Sequence, residues 1–307
     1  MDSAPVRVSA SRREAALLVV ATGASSTIQD AGRPGFAHLG VPRSGALDRP
    51  AADFANRLVG NRRDAAVVES LLGGLTVRQT PDVDGVSGRA GRWVAVTGGR
   101  GPVTVVDGPA GRQVGYDEPV WLPAGAELRI GPLVAGLRCY LAVGGGIEVA
   151  PVLGSRATDS LSGIGPAPLR PGDTIRVGEV AGAPAPVDVP ARRAATGLRL
   201  HPGPRPEWFA TDALAELCRG LWTVQPDSDR VGLRLAGESV ARRVGELASE
   251  PMVLGAVQIP PDGQPVVFLA DHPTTGGYPV VGVVAEADLW QCAQARPGER
   301  ISFRLDP

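Results

Sequence analysis

A mainly β protein, built as two related barrel-like lobes with a few short helices, is what this sequence predicts, and three observations predict it. Glycine and proline are abundant, 41 and 29 residues among 307, yet they punctuate apolar runs and form no low-complexity block. That is the pattern of short elements joined by tight turns. The apolar runs are themselves of strand length and end at Gly or Pro: residues 93–96, 103–106, 128–130, 139–143, 253–259 and 266–270.

The third observation is a pattern that occurs twice. Tyr140-Leu141-Ala142, Gly145-Gly146, Pro151-Val152-Leu153-Gly154 and Arg170-Pro171-Gly172-Asp173-Thr174-Ile175 match Phe268-Leu269-Ala270, Gly276-Gly277, Pro279-Val280-Val281-Gly282 and Arg296-Pro297-Gly298-Glu299-Arg300-Ile301. Each copy orders an aromatic-led strand, a glycine turn, a second strand and a Pro-Gly turn into a further strand. The two Arg-Pro-Gly turns are therefore expected at equivalent places in the two lobes.

From the N-terminal side, Ala15-Ala16-Leu17-Leu18-Val19-Val20-Ala21 follows Arg12 and Arg13 like a short secretory signal, but Glu14 interrupts the cationic region and no small-x-small cleavage site follows. It reads as the first strand. A helix is expected over residues 50–59, with Ala51, Phe54, Ala55, Leu58 and Val59 at helical spacing, Asp48 as its cap and Gly60 as its stop. A second begins after Thr211, carries Leu214, Leu217 and Cys218, and stops at Gly220; a third covers residues 288–295 before Pro297. Gly98-Gly99-Arg100-Gly101 and Gly144-Gly145-Gly146 read as hairpin turns, since no helix follows either to make a phosphate loop. The expected organisation is an N-terminal lobe over residues 15–178, an Ala/Pro-rich linker over 179–197, and a C-terminal lobe over 198–307.

Composition excludes several function classes. A formal net charge of −1, with both signs interspersed, provides no field for nucleic acid or anionic lipid. The longest apolar runs fall far below the roughly 20 residues that span a bilayer. Cys139, Cys218 and Cys292 lie far apart in apolar contexts, as expected of buried thiols in a cytoplasmic protein. All 31 basic residues are arginine. Without lysine there is no Walker A loop, no pyridoxal Schiff base and no biotin attachment site. Only His38, His201 and His272 are present, too few for an imidazole-rich metal centre, and none is expected.

The stretches TIQDAGRPG (27–35) and GVPRSGALD (40–48), with YLAVGGGIEVAPVLGSRAT (140–158), SDRVGLRLAG (228–237), Ser249-Glu250 and GAVQIPPDGQPVVFLADHPTTGGY (255–278), resemble one bacterial family over nearly the whole chain. It is the family of the 5-oxoprolinase C subunit, whose members also go by allophanate hydrolase subunit 2, Kip-type antagonist and biotin-dependent carboxyltransferase domain. Pro251 stands where a Gly is common and Val281 where many relatives carry a basic residue.

The resemblance implies cyclophilin-like β-barrels and a homologous partner chain, the B subunit. It further implies that the B and C chains use ATP, with Mg, to activate the ring amide of 5-oxoproline by phosphorylation, and that the A subunit completes its opening to glutamate. On this reading the chain is inactive alone. Two alternatives follow from the family's other names: a regulatory protein that antagonises a histidine-kinase inhibitor, and a urea carboxylase or allophanate hydrolase-like subunit served by a separate biotinylated chain.

The candidate site residues each have a plainer role beside the functional one. Gln29, Asp30 and Arg33 follow the first strand and suit a substrate carboxylate or amide, or an internal Asp30–Arg33 pair. Ser44 lies in a loop ahead of a helix that suits an anion or only a cap. Asp229 and Arg230 repeat the Asp–Arg chemistry in the second lobe. Glu250 and Gln258 flank an apolar strand that would raise a carboxyl pKa for acid–base work, or they sit as a surface pair. His272, as proton or hydrogen-bond donor, precedes Thr274, Thr275, Gly276, Gly277 and Tyr278, which offer donors and close backbone approach, or merely a turn.

Overall fold

The computed structural model describes residues 16–80, 91–179, 183–188, 194–245 and 247–306. The first part of the chain supplies β1 (Ala16–Thr22), β2 (Ser25–Gln29), α1 (Arg49–Leu58), β3 (Val67–Leu71), β4 (Leu75–Gln79), β5 (Gly91–Arg100), β6 (Val103–Asp107), β7 (Ala110–Val114), β8 (Val120–Pro123), β9 (Glu127–Ile130), β10 (Ala135–Val143) and β11 (Thr174–Arg176). They form a six-stranded sheet in the order β11-β1-β4-β9-β6-β7 and a five-stranded sheet in the order β2-β3-β10-β5-β8. Alternate residues of both sheets, among them Leu17, Val77 and Leu128 from the first and Val68, Val94 and Leu141 from the second, meet in one core. The barrel-like first lobe is thus a two-sheet sandwich.

The second part supplies β12 (Leu198–Pro202), α2 (Ala213–Arg219), β13 (Leu221–Val224), β14 (Gly232–Ala236), β15 (Glu250–Pro251), β16 (Ala256–Gln258), β17 (Val266–Phe268), β18 (Thr275–Gly276), β19 (Val280–Val284), α3 (Leu289–Gln294) and β20 (Arg300–Leu305). Seven of these strands close a barrel in the order β12-β19-β16-β17-β14-β13-β20, sealed by a parallel β12–β20 pairing. β15 and β18 pair as a separate ribbon.

Local chemistry accounts for the predicted elements. Asp48 Oδ1 accepts from Ala51 N at 3.0 Å, Pro50 occupies a position that has no amide bond to lose, and α1 buries Ala52, Phe54, Ala55 and Leu58 against Ala95, Tyr140 and Ala142 of β5 and β10. The third helix is shorter than its sequence suggests, because residues 286–288 form a 3₁₀ turn ahead of α3. Residues 253–259 and 266–270 yield only the three-residue strands β16 and β17, and the pairing of β16 with β19 shifts register between Val257 and Gln258. Gly98, Gly99 and Arg100 make no hairpin. They continue β5 beside β10, and the chain then crosses into β6 of the other sheet. Gly98 adopts φ +86, and a Cβ there would fall 2.7 Å from the Arg138 carbonyl.

The duplicated Arg-Pro-Gly turns are the same structure. In the first, Arg170 N donates to Asp173 Oδ2, Gly172 N to Val19 O and Val19 N to Asp173 O. In the second, Arg296 N donates to Glu299 Oε2, Gly298 N to Val224 O and Val224 N to Glu299 O. The strands that follow, β11 and β20, pair antiparallel with β1 and β13 respectively.

The two lobes are bolted together. Gln294 of α3 accepts from Leu137 N and Arg138 N and donates to Arg138 O and Asp48 Oδ2. Arg296 donates to the Leu133 and Gly136 carbonyls, and Leu47 from the first lobe packs in the barrel's core.

Candidate functional site

The predicted residues fall into two groups joined by residues 270–278. The first group lies in the seam between the lobes. Loop residues after β2 fold onto residues 152–158: Asp30 accepts from Gly32 N (2.8 Å), Ser155 Oγ (2.6 Å) and Arg156 N (2.6 Å). Arg33 donates to Ser44 Oγ at 2.9 Å and to the Ala157 carbonyl. Asp30 and Arg33 therefore do not pair with each other; both hold residues 152–157, and Arg33 also reaches Ser44. Ser44, held at φ +54, donates its amide to the Ala270 carbonyl across the seam.

Gln29 is fully buried and donates to Thr27 Oγ1 and the Thr158 carbonyl. Its Oε1 and the Thr158 Oγ1 have no hydrogen-bond partner among the described residues. Buried polar atoms in that state mark a functional corner or a bound water.

Behind this group sits a charge network. Asp271, wholly buried, receives Arg230 Nε (2.9 Å), Ser160 N (2.9 Å) and Ser160 Oγ (2.6 Å). Arg230 continues to Glu69 Oε1 and to the Gly45 carbonyl, and Glu69 also accepts from Tyr140 OH and Leu47 N. Arg138 approaches Glu69 at 3.6 Å. Burial alone would lower the Arg230 pKa, but the Glu69 and Asp271 carboxylates outweigh it and the net direction is upward. Asp229 stays outside the network and caps its own turn, accepting from Val231 N and Gly232 N.

His272 adjoins the network, 6% exposed and tilted against Phe268 with ring centroids 6.1 Å apart. Burial, the largest influence, holds its pKa below the ordinary 6.5, so the ring is neutral at pH 7. Nδ1 lies 2.7 Å from the Pro273 carbonyl, a contact that requires the proton on Nδ1. Nε2 is then an acceptor, which suits His272 to take a proton rather than give one.

The second group stands at the open end of the barrel, on the β15–β18 ribbon, where Glu250 faces Gly276 and Pro251 faces Thr275. Gln258 donates to the Tyr278 carbonyl at 2.9 Å, and Met252 N to the Thr274 carbonyl. Tyr278 is exposed, with the Arg242 guanidinium 5.8 Å from its ring centroid. Glu250 lies beside Arg205, whose hydrogen bond lowers the Glu250 pKa, the reverse of the rise expected from an apolar strand. The strand is buried, but its flanking acid is not.

Sequence reasoning missed Glu69, Asp271, Asp48 and Gln294 as joints between segments. Glu69 had a signal, a charge in the middle of the apolar strand Val67-Val68-Glu69-Ser70-Leu71, a place a carboxylate occupies only with partners. No group of His, Cys, Asp and Glu suited to a metal ion occurs among the described residues. Burial pushes the Cys139 and Cys292 thiols up to about 12, which leaves them inert. No helix among the described residues is long and apolar enough to cross a membrane.

Known proteins resemble the chain throughout. It is 36% identical to the 5-oxoprolinase C subunit of Escherichia coli K12, over 94% of this chain and 90% of that one, and 32% identical to its namesake from Haemophilus influenzae, over 91% and 87%. Urea amidolyase of Saccharomyces cerevisiae is 30% identical over 94% of this chain but only 16% of its own length. Among solved structures, TTHA0988 superposes with a TM-score of 0.81 at 38% identity, over 95% of this chain and 57% of that one. K. lactis urea amidolyase does so with a TM-score of 0.81 at 29% identity, over 97% and 19%. The chain thus spans little more than half of the TTHA0988 chain and about a fifth of the urea amidolyase. The model of the carboxyltransferase domain, subdomain A and B, matches residues 39–305, and the chain belongs to that family.

Proposed function

We propose that this chain is the C subunit of an ATP-dependent 5-oxoprolinase, that it works with the A and B subunits of that enzyme, and that it is inactive alone. The relatives from E. coli and H. influenzae support the reading, because the likeness runs over nearly the full length of both partners.

The structural observation that carries it is the stretch 270–278. Its base is fastened in the seam through Ala270 and Asp271, with His272 buried beside them, while its tip presents the Thr275 hydroxyl and Tyr278 phenol at the surface. A lactam is a poor electrophile. Opening it requires a proton acceptor and donors for the charge that develops on the ring amide, held without freedom to relax. Neutral His272 suits the first task, and Thr275 and Tyr278 the second. On this reading the tip would also line the cleft shared with the homologous B subunit, so one surface would serve both site and assembly.

ATP would supply the phosphoryl group that activates the amide oxygen. Neither glycine-rich stretch holds phosphates in a Walker loop, since Gly98 and Gly99 lie inside β5 and Gly144–146 lead into a turn. Any cationic nucleotide contact from this chain must come from arginine.

The deciding experiment is to purify the chain with its A and B partners and measure 5-oxoproline-dependent ATP hydrolysis. Turnover that needs all three chains supports the reading, and full ring opening by the isolated chain overturns its last clause. A urea carboxylase-like role is the second reading, favoured by the superposition with urea amidolyase. It predicts urea-dependent turnover that requires a biotinylated chain, because this one has no lysine to carry biotin.

A further inference from the structure

A cavity of about 580 Å³ opens where the two lobes meet, and none of the predicted site residues lines it. Its walls come from α1, from the end of β5 and from α3, so both lobes build it. The volume lies within the roughly 300–1,000 Å³ of small-molecule sites. A lactam acid would leave most of it unfilled.

Its charges are unevenly committed. Arg49 is paired with Asp53 at 2.6 Å and Arg100 with Asp117, so those four groups neutralise each other. Arg57 and Arg63 also line the cavity and have no carboxylate partner among the described residues. Two uncommitted guanidiniums at one cavity wall are a receptor for an oxyanion, which they meet through forked, charge-assisted hydrogen bonds. Beside Pro50, Ala51 and Ala135, the apolar lining includes two aromatic residues. Phe54 lies under Arg57, with the guanidinium carbon 6.0 Å from the ring centroid, and Trp290 of α3 contributes the other ring. Aromatic faces and arginine planes together stack planar heterocycles.

The floor is rigid. Gln294 makes four hydrogen bonds there, to Asp48, Leu137 and both the amide and carbonyl of Arg138, which fixes α3 against β10. A preorganised wall raises affinity by lowering the ordering cost of binding.

We infer that this cavity binds a phosphorylated planar ligand of the nucleoside phosphate class, with Arg57 and Arg63 on the phosphates and the half-buried Trp290 face on the ring. The inference deepens the reading above and rests on it for the choice of ATP as probe. It gives this chain its own nucleotide contact, made by arginines in place of a lysine loop.

The test is equilibrium titration of the whole purified chain with ATP, inorganic triphosphate and 5-oxoproline, followed by calorimetry and by tryptophan fluorescence. Saturable ATP binding is expected, with a fluorescence change that disappears in Trp290→Phe. Arg63→Ala, at an exposed position where folding is not at stake, should weaken ATP about tenfold or more, and Arg57→Ala similarly. Inorganic triphosphate should bind more weakly than ATP.

Equal affinity for the two would overturn the assignment of the Trp290 face. No saturable ATP binding, unchanged binding in both arginine variants, or displacement of ATP by 5-oxoproline would overturn the inference as a whole. The two readings fail separately. Loss of ATP binding here leaves the chain's place in the oxoprolinase complex intact, whereas absent oxoproline-dependent turnover in the assembled complex, with ATP still bound here, removes that place and leaves the cavity.

Discussion

Two guanidinium–carboxylate assemblies sit at either end of residues 270–278. In the seam, Arg230 is shared between Asp271 and Glu69, with side-chain exposures of 11%, 0% and 4%. At the barrel rim, Arg205 and Glu250 are 42% and 25% exposed. The chemistry is the same and the energetics are not. Charges out of water must be compensated completely, so removing one partner strands the others, whereas solvent replaces a lost partner at the rim. A buried network therefore acts as a joint, and an exposed pair leaves its neighbourhood free to change with function.

The most damaging test of that contrast is Arg230→Met. It strands Asp271 and Glu69 between the lobes and should cost about 3–5 kcal/mol in urea unfolding. A loss below about 1 kcal/mol would mean that water reaches the seam and that the joint is not one.

Next comes Thr275→Val on the ribbon. It preserves shape at an exposed position, and one lost transition-state hydrogen bond should lower turnover of the assembled complex about tenfold or more, with no change in melting temperature. Unaltered turnover would reduce the ribbon to a structural turn.

His272 sharpens the boundary between the two regimes. Its folded pKa is depressed, by burial first and by the Arg43 charge, so the unfolded state binds the extra proton. The stability this contributes is complete above the ordinary 6.5 and is lost as pH falls below it. Wild type should thus lose stability as pH falls below about 6.5 more steeply than His272→Gln. Parallel stability profiles would place the imidazole in water.

The smallest effect is expected of Glu250→Gln. The pair it breaks is solvent-screened, and the melting temperature should not move measurably in thermal denaturation. A clear drop would make the rim a second joint.

Patterns local in sequence were legible in this chain without coordinates. Strand-length apolar runs between glycines gave the mainly β class, Asp48 and Gly60 bracketed α1, and the twice-written Arg-Pro-Gly turn proved to be one structure used twice. Each depends on contacts among neighbouring residues or on the period of burial, which the order of side chains determines. The family likeness was legible for the same reason, since its motifs lie in continuous stretches.

What only the tertiary structure decided involves residues far apart in the chain. Asp30 and Arg33 are close in sequence yet turn to residues 155–157 and to Ser44, and Arg230 passes over its neighbour Asp229 for Glu69. The sign of the Glu250 shift turned on Arg205, and the arginine-lined cavity exists only because α3 of the barrel docks on α1 and β5 of the sandwich. A side chain's partner is chosen by which groups are buried together, and its pKa by how much water and charge remain around it. Both are properties of packing between segments.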